Sequence, residues 1–339
     1  MKTTDLTSLA TVSSEFIEDW LNALRTHSSG EQMSSFLSRS GMTAPNGISA
    51  QRITLDQIFR LYQIAAVETG DEMMGLWNRP IRARALQHLL TAVREASSLT
   101  SALYRFSTFW NLLLDDYQFE LHTRDDLVVL ELRPIGDQVP QRFGHMLILK
   151  LAHGLMSWLV GHEVPVKAVQ FAFGCPEFAE DYATIFPASV DFGASYSSIT
   201  FERTMFGPPH SRSKPEVIKF LRRAPRDWIF TSCWEHTQSL QIREFLYQSN
   251  WVDCQLVDAA RALRVTPRTL MRRLDADGTS FQAIKDGLRR DIAIRDLQSG
   301  QKSTEEISQD VGFSTAANFH RAFKRWTGAT PSSYRRSNI

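Results

Sequence analysis

Residues 315–331, TAANFHRAFKRWTGATP, hold Asn318, His320, Arg321, Lys324 and Arg325 among aromatic residues at helical spacing. At about 100° per residue, Phe319, Ala322, Phe323 and Trp326 share one face. Ala317, Arg321 and Lys324 lie opposite, flanked by Asn318, His320 and Arg325. A guanidinium is a planar fork that donates two hydrogen bonds to the O6/N7 edge of guanine, and a carboxamide pairs in the same way with adenine. An imidazole donates to an acceptor or a phosphate, and cations later in the helix, Lys324 and Arg325, neutralise phosphates. The chemistry on offer is recognition of a nucleic-acid groove. A single basic face of this kind is equally explained as a solvated helix surface.

The pattern occurs twice. LVDAARALRVTPRTLMRRLDADGTS aligns with the downstream stretch at an offset of 48 to 50 residues: Ala259 with Ile307, Leu263 with Val311, Val265 with Phe313, Leu270 and Leu274 with Phe319 and Phe323, and Gly278 with Gly328. Each copy reads as a helix, a tight turn and a second helix. In the downstream copy Ser303 and Glu306 have capping-box spacing, Gly312 suits a left-handed helix stop, and Ser314 can cap the second helix. Upstream, Thr266 is a strong N-cap and Pro267 suits the first helical position. Two helix-turn-helix units are therefore expected, over 256–277 and 304–327. FQAIKDGLRRDIAIRDLQSG between them reads as one connecting helix closed by Gly300. Its roughly 17 residues span about 25 Å, suited to aiming two recognition helices at successive major-groove segments about 34 Å apart. On the upstream recognition helix Arg268 and Arg272 point outward, with Thr269, Met271 and Asp275 at the edges. Arg273 lies nearer the core side, with a stem long enough to carry its head to a phosphate.

Charge divides along the same line. Residues 211–339 hold 22 Lys and Arg against 14 Asp and Glu, whereas 1–210 hold 16 against 23. A basic third joined to an acidic two-thirds suggests a polyanion-binding module attached to something else. Within 1–210, helical periodicity covers 13–40 and 53–113, with a break at 97–101. FELHTRDDLVVLELRP reads as two strands with a turn at Thr123–Asp126. Next come a helix over 144–161, a strand in VKAVQFAFGCP, a short helix in EFAEDYATIF and two strands in VDFGASYSSITFERTMF. The expected fold is an α+β regulatory domain, helical segment plus small mixed sheet, over 1–210. It is joined to an all-α C-terminal domain with the two tandem helix-turn-helix units over 231–339. Prolines, serines and charges place a linker at 211–230, its basic run KFLRRAPR being a solvated segment or a phosphate contact.

DIAIRDLQSGQKSTEEISQDVGFSTAANFHRAFKRWTGATPSSYRR resembles the C-terminal signature of AraC/XylS transcriptional regulators, and the likeness covers roughly 235–336. FAFGCPEFAEDYATIFPASVDFGASYSSITF more loosely resembles the regulatory domain of the ornithine-utilisation-regulator branch. The resemblance implies a bacterial, cytoplasmic, nucleoid-associated protein that binds a double-stranded operator through two adjacent major-groove segments per protomer. It also implies activation of transcription with RNA polymerase as partner, a small-molecule effector on the N-terminal domain, and a homodimer. Carried over by position, the DNA-reading residues are Arg268, Thr269, Met271 and Arg272 in the first unit and Ala316, Ala317, Asn318, His320 and Arg321 in the second. The two alanines depart from the polar residues expected there, so they touch a thymine methyl or the second unit reads fewer bases.

The alternatives are a repressor or effector-independent regulator and, from another class, an enzyme tethered to DNA by its C-terminal domain. Against the enzyme, the sequence contains no HExxH, GxSxG or glycine-rich phosphate loop. His145 and His153 lie eight apart and, with His162, read as satisfied core or surface histidines, so no metal or cofactor is expected. Cys175, Cys233 and Cys254 are isolated and odd in number, which favours reduced thiols, Cys175 being partly buried and inert. The N-terminus does not read as a signal peptide. The apolar run MLILKLAHGLMSWLVG contains Lys150 and His153 and reads as a buried helix, not a membrane span. Phe171, Phe173, Trp158 and Tyr182 can line an effector pocket, although each is more often core; no effector-binding residue is assigned.

Overall fold

A computed structural model describes residues 10–42, 52–186, 188–229, 238–249, 251, 254–276 and 279–336. Cys233, the expected helical start near Thr231, the last residue of the first helix-turn-helix range and Gly278 lie outside them. In chain order the elements are β1 (Thr11–Ser13), α1 (Glu18–His27), α2 (Gly30–Ser40), β2 (Arg52–Thr54), α3 (Leu55–Glu68), α4 (Ala85–Val93), α5 (Leu99–Asn111), β3 (Tyr117–Arg124), β4 (Leu127–Pro134), α6 (Arg142–Val160), β5 (Val166–Phe171), α7 (Tyr182–Ile185), β6 (Ser189–Phe192) and β7 (Ser197–Glu202). Then come α8 (Lys214–Arg222), α9 (Arg226–Ile229), α10 (Gln238–Gln248), α11 (Leu256–Ala262), α12 (Pro267–Ala276), α13 (Phe281–Ser299), α14 (Thr304–Asp310), α15 (Ala316–Thr327) and α16 (Pro331–Arg336).

Two compact units result. One comprises 15–40 and 59–233; the other comprises 1–14, 41–58 and 234–339. In the first, the described strands form a mixed sheet in the order β3-β4-β7-β5-β6, antiparallel except for the parallel β5–β6 edge. Strand alternation sends one row inward: Leu130 pairs with Ile199, and Ile199 with Val169, all fully buried. The neighbouring outward row, Glu120, Glu131, Ser198 and Gln170, is mainly polar. α6 is long and apolar enough to cross a membrane by length and composition. Nearly every one of its residues is nevertheless buried within the unit, so it is a core helix. Gln141 caps its start through the Gly144 amide, and Gly161 ends it in the left-handed region.

Residues 211–229, the described part of the expected linker, are not an open linker. Ser213 and Glu216 form a capping box that starts α8, with Pro215 in its first turn, and Val217 and Phe220 are buried. Trp228 and Ile229 of α9 are buried as well. α9 packs on α6 at Gly154, where a Cβ would lie 2.2 Å from the Trp228 carbonyl oxygen. The Ser, Pro and charge cluster that suggests a linker is a helix start with a solvated outer face. Cys175 is exposed rather than partly buried, and Cys254 is buried.

In the second unit Ile242, Leu246, Leu270, Leu274, Leu288, Ile292, Ile307, Phe319 and Phe323 close one apolar core. The antiparallel β1–β2 pair, drawn from the first 54 residues, belongs to this unit too. The expected regulatory segment 1–210 thus lends two pieces to the helical unit.

Candidate nucleic-acid interface

The two helix-turn-helix copies repeat hydrogen bond for hydrogen bond. The Leu263 amide donates to Ala259 O at 2.9 Å and the Val311 amide to Ile307 O at 3.0 Å. Arg264 N to Arg261 O (3.1 Å) matches Gly312 N to Gln309 O (2.9 Å), and Val265 N to Ala260 O (3.0 Å) matches Phe313 N to Ser308 O (3.0 Å). The second helix of each copy is capped by a threonine: the Thr269 amide donates to Thr266 Oγ1 at 3.1 Å and the Asn318 amide to Thr315 Oγ1 at 3.3 Å. The downstream cap is therefore Thr315, not Ser314, because the helix begins one residue later than the serine allows. The turn residues Arg264 and Gly312 both have positive φ, 55° and 73°. The connecting helix α13 has 19 residues, which gives about 28 Å at 1.5 Å per residue.

Leu270 and Leu274 on α12, and Phe319, Ala322 and Phe323 on α15, are buried. That fixes which faces remain for solvent. On α12 Arg268, Met271, Arg272 and Arg273 are exposed, while Thr269 is half-buried with its hydroxyl 2.8 Å from that of Thr266. Arg273, beside Leu270 and Leu274 by helical spacing, is exposed as well. On α15 Ala317, Asn318, Arg321, Lys324 and Arg325 are exposed, and Ala316 and His320 are half-buried.

Two contacts tie the recognition face of α15, and only the second is invisible in the spacing. Arg321 donates to Asn318 Oδ1 at 2.7 Å, so the two base-reading candidates of α15 hold each other. Arg325 donates to Asp286 Oδ2 of α13 at 3.1 Å, across 39 residues of sequence. These residues line an open cleft of about 410 Å³, together with Gln282, Arg289 and Phe313. The Arg289 guanidinium sits 4.9 Å from the Trp251 ring centroid and 4.8 Å from that of Phe313, and donates to Gly312 O at 3.1 Å. Burial draws its pKa down, against the pull of Asp286. It packs the second turn rather than facing a groove. Gln282 also donates to Asp286 at 3.0 Å, an i,i+4 pair that sequence spacing does signal.

In the other unit, Phe171, Phe173 and Tyr182 come together with Phe178 and Phe186 as core, with the half-buried Phe192 against them, while Trp158 packs elsewhere, on Phe220. His153 is satisfied at both nitrogens: Nε2–H donates to Val164 O at 2.9 Å, so Nδ1 accepts from Lys150 Nζ at 3.0 Å. His145 is not, since Nδ1 meets Ser197 Oγ at 2.8 Å and Nε2 has no partner. Glu120, His122 and Glu131 bring three potential metal-ligand atoms within 4.8 Å of one another. Arg133 reaches both carboxylates, at 3.2 and 2.8 Å, which makes the group an ion-pair network.

Tandem helix-turn-helix units with solvent-facing cationic recognition helices define a DNA-binding transcription regulator. Residues 32–209 match the family described as the arabinose-binding N-terminal domain of AraC transcription regulators, and residues 259–337 match a helix-turn-helix domain family. The chain belongs to the AraC family. It is 25% identical over 298 residues to the ornithine utilization regulator of Pseudomonas aeruginosa, covering 87% of this chain and 86% of that one. It is 32% identical over 107 residues to a urease operon transcriptional activator of Escherichia coli, covering 32% and 36%. Among solved structures, the transcriptional regulator CdpR of Pseudomonas aeruginosa aligns over 95% of this chain and 98% of that chain, at 20% identity and a TM-score of 0.31.

Proposed function

We propose that this chain is a cytoplasmic transcription activator, without catalytic activity, whose operator binding responds to a small molecule held by the 15–40 and 59–233 unit. Arg268, Thr269, Met271 and Arg272 read bases in one major-groove segment; Ala316, Ala317, Asn318, His320 and Arg321 read the next. Arg273, Lys324 and Arg325 bind backbone phosphate. The carrying observation is the bond-for-bond repetition of two turns, each presenting a capped helix with arginines on its solvent face. The paired Asn318 and Arg321 pre-orient a guanidinium for a guanine edge. Activation, with RNA polymerase as partner, and homodimerisation are carried from the family; one relative is named for activation.

Selection of bound sequences from random DNA, with and without a metabolite pool, tests this reading. The expected result is a site with two conserved segments about one helical turn apart, whose occupancy changes with the pool. Absence of any sequence preference at physiological salt overturns it. A promoter fusion then separates activation from repression.

A further inference from the structure

The open cleft of about 410 Å³ in the helical unit has two helical walls. Gln282, Asp286 and Arg289 line it from α13, at positions i, i+4 and i+7 on one face of that helix. Asn318, Arg321 and Arg325 line it from α15, at i, i+3 and i+7. Three guanidiniums therefore share the cleft with one carboxylate. Arg289 is engaged by the rings of Trp251 and Phe313 and by the Gly312 carbonyl, and Arg321 holds the neutral carboxamide of Asn318. Among the described residues Asp286 forms its ion pair with Arg325 alone. That carboxylate is gripped on both oxygens: Oδ1 accepts from Gln282 at 3.0 Å and Oδ2 from Arg325 at 3.1 Å.

The two partners of the ion pair differ in freedom. The Arg325 side chain is 69% exposed and that of Asp286 23%. The guanidinium is free to turn toward an incoming anion, while the carboxylate keeps its bond to Gln282. The surplus of cations sets the sign of the occupant. Its kind follows from where the cleft lies. A helix seated in the major groove has base edges in front of it and the two phosphate strands along its flanks. α13 closes this cleft at the flank of α15, so the group that reaches it belongs to a strand at the rim of the groove. An open mouth admits a phosphate that stays bonded into its strand.

We infer that the cleft between α13 and α15 seats a DNA backbone phosphate, and that Asp286 serves Arg325 as an internal counter-ion until the phosphate displaces it. Gln282 is the positioning residue that keeps the displaced carboxylate in place. This rests on the operator-binding reading above and adds the connecting helix to the interface, outside both recognition helices. The exchange has a signature in salt. A phosphate neutralised by a lone cation releases about 0.9 of a counterion from duplex DNA. Phosphate, Arg325 and Asp286 together still sum to one negative charge, so a cation stays behind and this contact adds little to the salt slope.

Anisotropy titrations of the full-length protein test the seat. On scrambled duplex, Asp286→Asn tightens binding about twofold to fivefold and steepens the salt slope by up to about one. Gln282→Glu, which adds a carboxylate to the cleft, weakens binding by a similar factor. On the selected operator, duplexes that each carry one neutral methylphosphonate linkage are compared in turn. One linkage beside the second segment weakens wild type about threefold to tenfold, leaves Arg325→Ala unchanged and cancels the gain of Asp286→Asn. The inference falls if Asp286→Asn leaves the salt slope as it was, or if no linkage distinguishes wild type from Arg325→Ala. In that last case, inhibition by about 10 mM inorganic phosphate that Arg325→Ala removes assigns the cleft to a free anion instead. A steeper Asp286→Asn slope on duplexes that the protein does not discriminate supports the seat and sinks the base-reading assignment.

Discussion

The Thr11 hydroxyl donates a 2.6 Å hydrogen bond to Asp291 Oδ1, 280 residues further along the chain. Asp291 is 2% exposed on the connecting helix α13, and Arg243 reaches its other oxygen at 2.7 Å. The Arg52 carbonyl accepts a second tie, from the Tyr334 hydroxyl, at 2.7 Å. The β1–β2 pair therefore braces the helix that spaces the two recognition helices. Asp291→Ala strands the Arg243 guanidinium and costs the helical unit about 3 kcal/mol. Thr11→Val leaves that ion pair and costs about 1 kcal/mol. Hydrogen exchange along α13 measures both; protection equal to wild type in Asp291→Ala would refute the bracing role.

Base reading and phosphate binding separate by mutation. Arg272→Ala lowers operator affinity by about 1–3 kcal/mol and leaves scrambled DNA nearly unchanged. Lys324→Ala weakens both alike and reduces the salt slope by about one. Titrations at several salt concentrations check this. Equal losses on both DNAs for Arg272→Ala remove it from the base-reading set.

Asp286 works against phosphate. Its carboxylate binds Arg325, whose side chain is 69% exposed, so the pair is solvent-screened and weak. Asp286→Asn frees Arg325 and removes a negative charge beside the cleft. Affinity for all sequences should rise about twofold to fivefold, as expected from a surface pair worth under about 1 kcal/mol. Anisotropy with operator and scrambled DNA reads it, and a fall in affinity contradicts the assignment.

The paired turns respond oppositely to substitution. Gly312→Ala demands positive φ from an L-residue, costing about 1–2 kcal/mol, and puts a Cβ 2.6 Å from Trp251 Cγ. Arg264 already bears the first cost, so Arg264→Gly relieves about 1–2 kcal/mol while adding about 0.5–1 kcal/mol of unfolded-state entropy. The net gain is about 0.5 kcal/mol. Thermal unfolding distinguishes the two changes; a destabilised Arg264→Gly would show that its side chain matters more than its backbone.

Burial holds His145 down to about 4, and burial plus the Lys150 charge holds His153 well below its ordinary value. The unfolded chain thus binds more protons than the folded one below about pH 6.5. Stability is full above that pH and falls on acidification, the His145 share being lost down to about pH 4. The slope is at most about 1.4 kcal/mol per pH unit per histidine. Denaturation midpoints should fall as the pH is lowered from neutral through the histidine range, and His145→Gln should flatten the trend. An unchanged slope in that variant locates the effect elsewhere.

The helical repeat was legible because the periodicity of Leu270, Leu274, Phe319 and Phe323 records a local rule, and caps and glycines mark its ends. The mixed sheet was legible from the switch to alternation at Phe119, two residues inside the start of β3 at Tyr117, and again near Val166. What escaped is non-local. No spacing joins Thr11 to Asp291 or Arg325 to Asp286. The linker expected at 211–230 fails for a local reason: Ser213, Pro215 and Glu216 signal a helix start as well as a loop, and only the burial of Phe220 and Trp228 decides between them.

Because the β1–β2 pair comes from the opposite end of the polypeptide, the DNA-binding body is not one interval of the gene. A fragment beginning near residue 234 carries every recognition residue but leaves Asp291 without Thr11 and Tyr334 without the Arg52 carbonyl. Such a truncation removes a structural member of the body itself. Exchanging C-terminal halves between related regulators would transplant the helices while leaving part of their support behind.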